Sequence, residues 1–125
     1  MPTPTPERVR VLLTDARQSA ADHDRNGDAF LAEGRANIAL MFYERSRSRD
    51  RILKILDQGA ASGDTFLVEW AQKMLPDLVT VEHWRRTGVA AMGAKKFSFA
   101  RDAFRKAGDD AAAEEAQKAL NQTAP

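Results

Sequence analysis

Oxygen-bearing side chains recur at short intervals in residues 22–33, which read DHDRNGDAFLAE. A calcium ion takes six to eight oxygen ligands, and the EF-hand motif supplies them from residues at fixed spacing around a central glycine. The stretch matches that spacing, with Gly27 at the bend. The candidate calcium ligands are Asp22, Asp24, Asn26, Asp28 and Glu33. One function to weigh is therefore a calcium-binding helical protein with a single EF-hand-like loop at 22–33.

An internal copy of this stretch argues for a different role. The segment GDAFLAE at 27–33 recurs as GDTFLVE at 63–69, and residues 58–62 before the second copy carry no carboxylate. Asp, Asn and Gly also favour turns for reasons of local backbone chemistry. The same residues therefore predict an ion-free turn at 26–28 between two helices, with Phe30 and Phe66 in the core.

Arginines alternate with other residues in 44–51, which read ERSRSRDR. Guanidinium groups bind phosphates and carboxylates in a bidentate manner, so Arg45 and Arg49 are candidate contacts for an acidic partner. A spacing of two scatters side chains around a helix. The alternative is therefore a solvated helix junction in which the arginines pair with Glu44 and Asp50.

Catalytic chemistry has little support in the sequence. The chain has no cysteine, and its two histidines, His23 and His83, are far apart. No nucleophile elbow, zinc-protease motif or glycine-rich phosphate loop is present. We expect a protein that is not an enzyme and that needs no cofactor, unless the loop at 22–33 binds calcium.

The elements that must position these residues are helical. Alanine, leucine, arginine, glutamate and lysine dominate, and no stretch alternates apolar and polar residues over a strand length. Glycines, prolines and capping residues predict seven helices, at 6–23, 28–46, 49–59, 64–75, 80–93, 98–107 and 110–121. Alternating prolines predict a disordered leader at 1–6. A single domain is expected over 7–122, followed by a disordered tail at 123–125.

The two copies of the GD-F-L-E pattern start at Gly27 and Gly63, and a comparable helix begins near Ser98. A period in the mid-thirties built of two helices indicates an α-solenoid, in which hairpins stack because none buries its own apolar face. The expected fold is all-α, an α-solenoid of about three antiparallel helical hairpins with helix 110–121 as a C-terminal cap. An irregular helical bundle and related helical-hairpin folds are the alternatives.

Residues 84–112 carry a family pattern in Trp84, Gly88, Phe97, Ala100, Phe104 and Ala107. This segment resembles one tetratricopeptide repeat (TPR). The resemblance implies that small residues lie where the two helices touch, and that the first helix of the hairpin lines a groove in which peptides dock. The partner-binding residues that it implies are Glu82, Arg85, Arg86, Val89 and Met92.

The overall charge does not favour binding to nucleic acid or to anionic membranes, because the chain has 19 basic and 18 acidic residues. No apolar run is long enough to span a bilayer, and residues 1–10 lack the apolar core of a signal peptide. The cytoplasm is the expected compartment. The sequence thus predicts a non-catalytic protein–protein interaction module, a scaffold or adaptor that presents a TPR-like groove to a protein or peptide partner.

Overall fold

The computed structural model describes residues 3–123, and that part of the chain contains helices and no strand. The all-α prediction is therefore confirmed. The helices are α1 (Pro6–Thr14), α2 (Ala20–Ala32), α3 (Ala36–Ser46), α4 (Arg49–Ser62), α5 (Thr65–Met74), α6 (Val81–Gly93), α7 (Phe97–Lys106) and α8 (Asp110–Thr123). None of the helices in this range combines the length and the apolar character that crossing a bilayer requires.

The chain divides into two compact units, residues 1–55 and 56–125, with the division inside α4. The buried apolar residues of the first unit include Leu40, Phe42, Tyr43 and Ile52. In the second unit, Phe104 packs with four buried alanines to form a core cluster: Ala91, Ala100, Ala113 and Ala116. Small residues thus dominate the second core, as close helix packing requires.

The prediction of one helix over 6–23 is wrong. Pro6 is the first residue of α1, and the Thr5 hydroxyl accepts a hydrogen bond from the Arg8 backbone N–H at 3.3 Å. The helix ends at Thr14, and α2 starts after Ser19. Proline suits a first helical position because its missing N–H would be unpaired there. Thr123 is the last residue of α8, whereas the rest of the predicted leader and tail includes Met1, Pro2, Ala124 and Pro125, which lie outside the described residues.

The turn expected at 26–28 is also wrong, because these residues lie in the middle of α2. The chain turns instead after Glu33, where Gly34 adopts a left-handed φ of 75°. Gly27 serves a different purpose. A Cβ at this position would lie 2.4 Å from Cε1 of Tyr43 on α3, so glycine here allows the two helices to touch.

The repeat inferred from Gly27 and Gly63 does not correspond to equivalent structure. Gly27 lies inside α2, whereas Gly63 lies in the turn between α4 and α5, and Asp64 caps α5. The predicted helix 28–46 therefore covers the end of α2, a turn and α3, whereas the predicted helix 64–75 corresponds to α5 alone. The shared letters fall in the second half of α2 in one case and at the start of α5 in the other.

A different internal repeat relates two helical hairpins, α2–α3 (the first hairpin) and α6–α7 (the second hairpin). Corresponding residues are 61 positions apart, as Ser19 is from Thr80, and both of these residues form capping boxes. The same backbone geometry recurs through the turn and into the second helix. The matching pairs are Gly27 and Gly88, Gly34 and Lys95 with φ of 75° and 62°, Ala39 and Ala100, and Tyr43 and Phe104.

Candidate functional site

One face of α6 is exposed and the other is buried. Trp84, Thr87, Gly88 and Ala91 point into the second unit, so the residues between them face outward. The exposed side includes Val89, a branched apolar side chain that remains 61% exposed. A single exposed apolar side chain is common on protein surfaces, so the residues around Val89 decide whether this face could dock a partner.

The exposed face of α6 borders a shallow, open groove of about 450 Å³. The residues that line this α6 groove are Ala61, Glu82, Arg85, Arg86, Val89 and Ala90. Ala61 comes from α4 and the other five from α6, so the groove lies within the second unit. The two alanines provide small apolar surface, Val89 adds the largest apolar side chain, and three charged side chains complete the lining.

The charges of the groove are unequally satisfied. Arg85 donates from Nη1 to Glu82 Oε2 at 2.7 Å, and its Nε lies 4.0 Å from Asp109 Oδ2. Arg86 is exposed and has no hydrogen bond or ion pair through its side chain with any residue between 3 and 123. The groove therefore offers one unengaged guanidinium beside one that already binds a carboxylate.

Several local interactions hold α6 in place. The Thr80 hydroxyl accepts from the His83 backbone N–H at 3.3 Å, and His83 Nδ1 accepts from the Thr80 backbone N–H at 3.0 Å. His83 Nε2 lies 3.1 Å from Asp57 Oδ1 on α4. Gly88 admits the Phe104 ring of α7, because a Cβ there would lie 2.7 Å from that ring. Helix packing and capping thus fix the orientation of the outward-facing residues.

The structure brings four of the seven predicted partner-binding residues together, namely Glu82, Arg85, Arg86 and Val89. Met92 is partly buried against the core cluster of the second unit. Sequence reasoning missed Ala61 and Ala90 as lining residues. Alanine is too common in helices to stand out, and only the packing of α4 near α6 gives Ala61 a role.

Arg45 and Arg49 belong to the first unit. Arg45 donates from Nε to the backbone oxygen of Leu13 at 3.1 Å and pairs with Glu44 at 3.5 Å, so it holds the end of α1. Arg49 is the first residue of α4. The alternating arginines do not form one stripe: Arg47 ends α3 with a left-handed φ of 56°, and Arg51 turns toward α2.

The residues proposed for calcium lie on a helix instead of a loop. Asp22, Asp24, Asn26 and Asp28 are part of α2, and Glu33 follows its last residue. An EF-hand wraps its loop around the ion, and a straight helix cannot do this. Within residues 3–123, no three His, Cys, Asp or Glu side chains come together in a way that could hold a metal ion. The alternative of an EF-hand-like loop at 22–33 is therefore wrong.

The same acidic residues have partners within the first unit. Asp22 accepts from the Ser19 backbone N–H at 2.9 Å in the capping box, and this hydrogen bond holds the pKa of Asp22 below its usual value. Glu33 accepts from the Thr3 hydroxyl at 2.9 Å. Asp24 and Asp28 bind Arg51. These acids stabilise helix ends and helix contacts, which explains their spacing without an ion.

Asp24, Asp28, Tyr43 and Arg51 form a polar group that we call the Arg51 cluster. Arg51 reaches from the first turn of α4 and binds both oxygens of Asp28, at 2.9 and 3.0 Å, and Asp24 at 3.1 Å. The Tyr43 hydroxyl donates to Asp28 at 2.6 Å. The Arg51 guanidinium lowers the pKa of Asp28, while burial and this carboxylate raise the pKa of Tyr43.

A second exposed apolar surface lies between α5 and α7 in the second unit. Phe66 is 70% exposed, so the prediction that it lies in the core is wrong, whereas Phe30 is buried as predicted. The Phe66 ring contacts the Phe99 ring edge-on, with 6.0 Å between the ring centroids. Beside them, Lys106 Nζ lies over the Trp84 ring at 4.4 Å and pairs with Glu69. The space between these side chains measures about 100 Å³, much less than the α6 groove.

Comparison with family models, with curated proteins and with solved structures finds no match for this chain.

Proposed function

We propose that the chain is a non-catalytic protein–protein interaction module, a scaffold or adaptor whose α6 groove docks a segment of another protein. The observation that carries this proposal is the combination of exposed Val89 and unengaged Arg86 along a groove of about 450 Å³. An apolar centre with charged groups at its margin is the usual composition of a protein-binding surface.

The chemistry of the groove supports a binding role over a catalytic one. Among the described residues that line it, none carries an imidazole, hydroxyl or thiol group that could act as a nucleophile or base. His83, the nearest histidine in sequence, uses both ring nitrogens in capping α6 and contacting Asp57. The polar groups at hand are guanidinium groups and one carboxylate, which suit recognition.

A TPR-like α-solenoid of three hairpins with a C-terminal cap is the architecture that we propose for this module. The first hairpin and the second hairpin, as defined above, would be the first and the last of the three. The matching geometry of the first and second hairpins supports it, since stacked repeats reuse one cap, turn and contact pattern. The glycine-on-ring contact at Gly88 and Phe104 supports the TPR resemblance of residues 84–112. The cytoplasmic setting expected from the sequence stays a prediction.

Peptide selection followed by NMR mapping tests the docking function. Peptides selected from a random displayed library on the immobilised chain would be synthesised and titrated into the isotope-labelled protein. We expect the largest amide shift changes at Ala61 and between Glu82 and Ala90. The substitution Val89→Glu places a charge at the apolar centre and should weaken binding about tenfold or more.

Val11→Glu is the matched control, because Val11 is also an exposed valine on a helix, 48% exposed on α1 in the first unit. Binding should be unchanged by this substitution. Equal loss of affinity for Val11→Glu and Val89→Glu, or shift changes confined to residues outside the α6 groove, would contradict the proposed site.

A further inference from the structure

The first hairpin contains a template for what the α6 groove binds. In the first unit, the side chain of Arg51 lies across the outer side of α2, where it joins Asp24 and Asp28 and stacks over the Tyr43 ring at 6.0 Å. This outer position is thus filled by a charged side chain that complements the charges on α2.

The corresponding positions of the second hairpin have different chemistry. Shifting by 61 positions places Arg85 where Asp24 is, Val89 where Asp28 is, and Ala112 where Arg51 is. Ala112 has no side chain beyond Cβ and therefore cannot reach across α6. The charge at the first of these positions is also inverted, from a carboxylate to a guanidinium.

We propose that the α6 groove takes an acidic side chain, Asp or Glu, from the docked segment, in the place that Arg51 fills in the first unit. This inference rests on the proposed docking function. Glu82 and Asp109 both approach Arg85, whereas the Arg86 side chain has no partner between residues 3 and 123. Arg86 is therefore the lining guanidinium that best complements a carboxylate from the partner. A guanidinium group has five N–H donors, so Arg85 can bind a second carboxylate while it keeps Glu82.

Arg85 and Val89 are the template positions, and Arg86, which corresponds to Arg25, adds a second guanidinium beside them. The carboxylate would bind Arg86 and Arg85, and an adjacent aliphatic side chain would cover Val89. The occupant in the first unit is a side chain, and this is the reason to assign a side-chain carboxylate to the partner instead of a chain terminus.

Three synthetic peptides test the charge. All have amidated C-termini and leucines at the same positions, and their polar positions carry Glu, Gln or Lys. Measured by fluorescence anisotropy at moderate salt, the Glu peptide should bind the wild-type chain about tenfold more tightly than the Gln peptide, and the Lys peptide more weakly still. Arg86→Glu should reverse the order of the Glu and Lys peptides, whereas Arg105→Glu, on the exposed side of α7, should leave it unchanged.

A substitution within the chain tests the position. Ala112 lies in the first turn of α8, next to Asp109, which already approaches Arg85. Ala112→Glu adds a second carboxylate there, and we expect this internal side chain to lower affinity for the Glu peptide about tenfold. Ala112→Gln is the uncharged control of equal size, and Ala111→Glu adds the same charge one residue away. Both should bind the Glu peptide nearly as well as the wild-type chain.

The outcomes separate this inference from the docking function. Equal affinity for the Glu and Gln peptides, or failure of all three while a library-selected peptide binds the groove, would overturn the acidic assignment and leave docking intact. A fourth peptide, the Gln sequence with a free C-terminus, carries a terminal carboxylate only; if it bound as tightly as the Glu peptide, the side-chain assignment would be overturned. Loss of groove binding by every peptide would overturn both proposals.

Discussion

The first and second hairpins share a backbone pattern but present different outer surfaces. Each begins with a capping box, admits an aromatic ring over a helical glycine and turns through a left-handed residue. On the outer side, the first hairpin is covered by the Arg51 cluster, whereas the second leaves Val89 and Arg86 exposed. Both hairpins therefore need the same inner contacts between their helices, whereas the residues on the outer side can differ without changing the hairpin backbone.

This difference separates the residues that the fold requires from those that are free to vary. Residues such as Gly88 and Ala100 must remain small because a neighbouring helix lies against them. Arg85 and Val89 meet no such constraint, and their counterparts Asp24 and Asp28 have opposite or different chemistry. The outer face of α6 can therefore vary without loss of the fold, and it is the face that we propose for docking.

The largest expected effect concerns the glycines under the aromatic rings. Gly27→Ala would place Cβ 2.4 Å from the Tyr43 ring, which its hydrogen bond to Asp28 holds in place. We expect a loss of about 2 kcal/mol in the free energy of unfolding, because overpacking exceeds the gain in helix propensity. Gly88→Ala should cost about 1 kcal/mol, since its Cβ would lie 2.7 Å from the Phe104 ring, which can shift more freely.

Urea denaturation followed by circular dichroism measures both losses. Gly93→Ala is the control, because a Cβ there meets nothing within 4 Å, and this variant should be as stable as the wild type or more so. Adding Phe104→Leu to Gly88→Ala should restore part of the loss. A Gly27→Ala variant more stable than the wild type would show that the glycine-on-ring contact does not organise the first hairpin.

The sequence predicted much of the helical pattern and failed where tertiary packing overrides local preference. The breaks near residues 47, 63, 94 and 108 agree with the structure to within a few positions. The turn at 26–28 was wrong because Asn-Gly-Asp favours a turn locally, while the Tyr43 ring selects glycine inside a helix. Ser19 with Asp22 was a capping-box signal for the start of α2 that the sequence contained.

The candidate site was predictable only in part. Helical spacing from the TPR resemblance brought Glu82, Arg85 and Val89 to one face, as the structure has them. The internal repeat is not visible in the sequence, because few residues are identical at a separation of 61 positions. The similar segments that start at Gly27 and Gly63 indicate a different and incorrect period. The two hairpins match in their contacts between helices, such as the glycine that packs under an aromatic ring, and sequence identity does not reveal such contacts.

A smaller effect is expected from the Arg51 cluster. Arg51→Ala should lower the free energy of unfolding modestly at pH 7, by less than either glycine substitution, because the cluster is partly exposed and solvent screens its charges. Arg51 lowers the pKa of Asp28 from its ordinary value of 3.8, so this stabilisation is present above that pH and is lost as the pH falls through the lowered pKa. The difference between wild type and variant should therefore shrink toward pH 2.

Denaturation at several pH values gives this comparison, and hydrogen exchange localises it. Exchange should rise in α2 and α3, and the second hairpin, which lacks the cluster, should exchange at its wild-type rate. Arg10→Ala, on the exposed side of α1, is the control for removing a positive charge. A stability difference that stays constant from pH 7 to pH 2 would mean that the Arg51 side chain acts through packing instead of charge.

The smallest effect concerns His23, which stands where the second hairpin has Trp84. His23 is 7% exposed and its Nδ1 is buried without a hydrogen-bond partner, which is unfavourable for a polar atom. His23→Phe keeps a ring beside Phe42 and removes the unpaired nitrogen, so we expect a gain of up to about 1 kcal/mol in the free energy of unfolding.

The same substitution at the other histidine should act in the opposite direction. His83→Phe removes the acceptor for the Thr80 backbone N–H and the contact with Asp57, so it should lose about 1 kcal/mol. Urea denaturation of the two variants side by side therefore separates a histidine that fills space from one that caps a helix. Equal losses for both would show that His23 Nδ1 finds a partner in solution, and the two hairpins would then differ less in their cores than the contacts indicate.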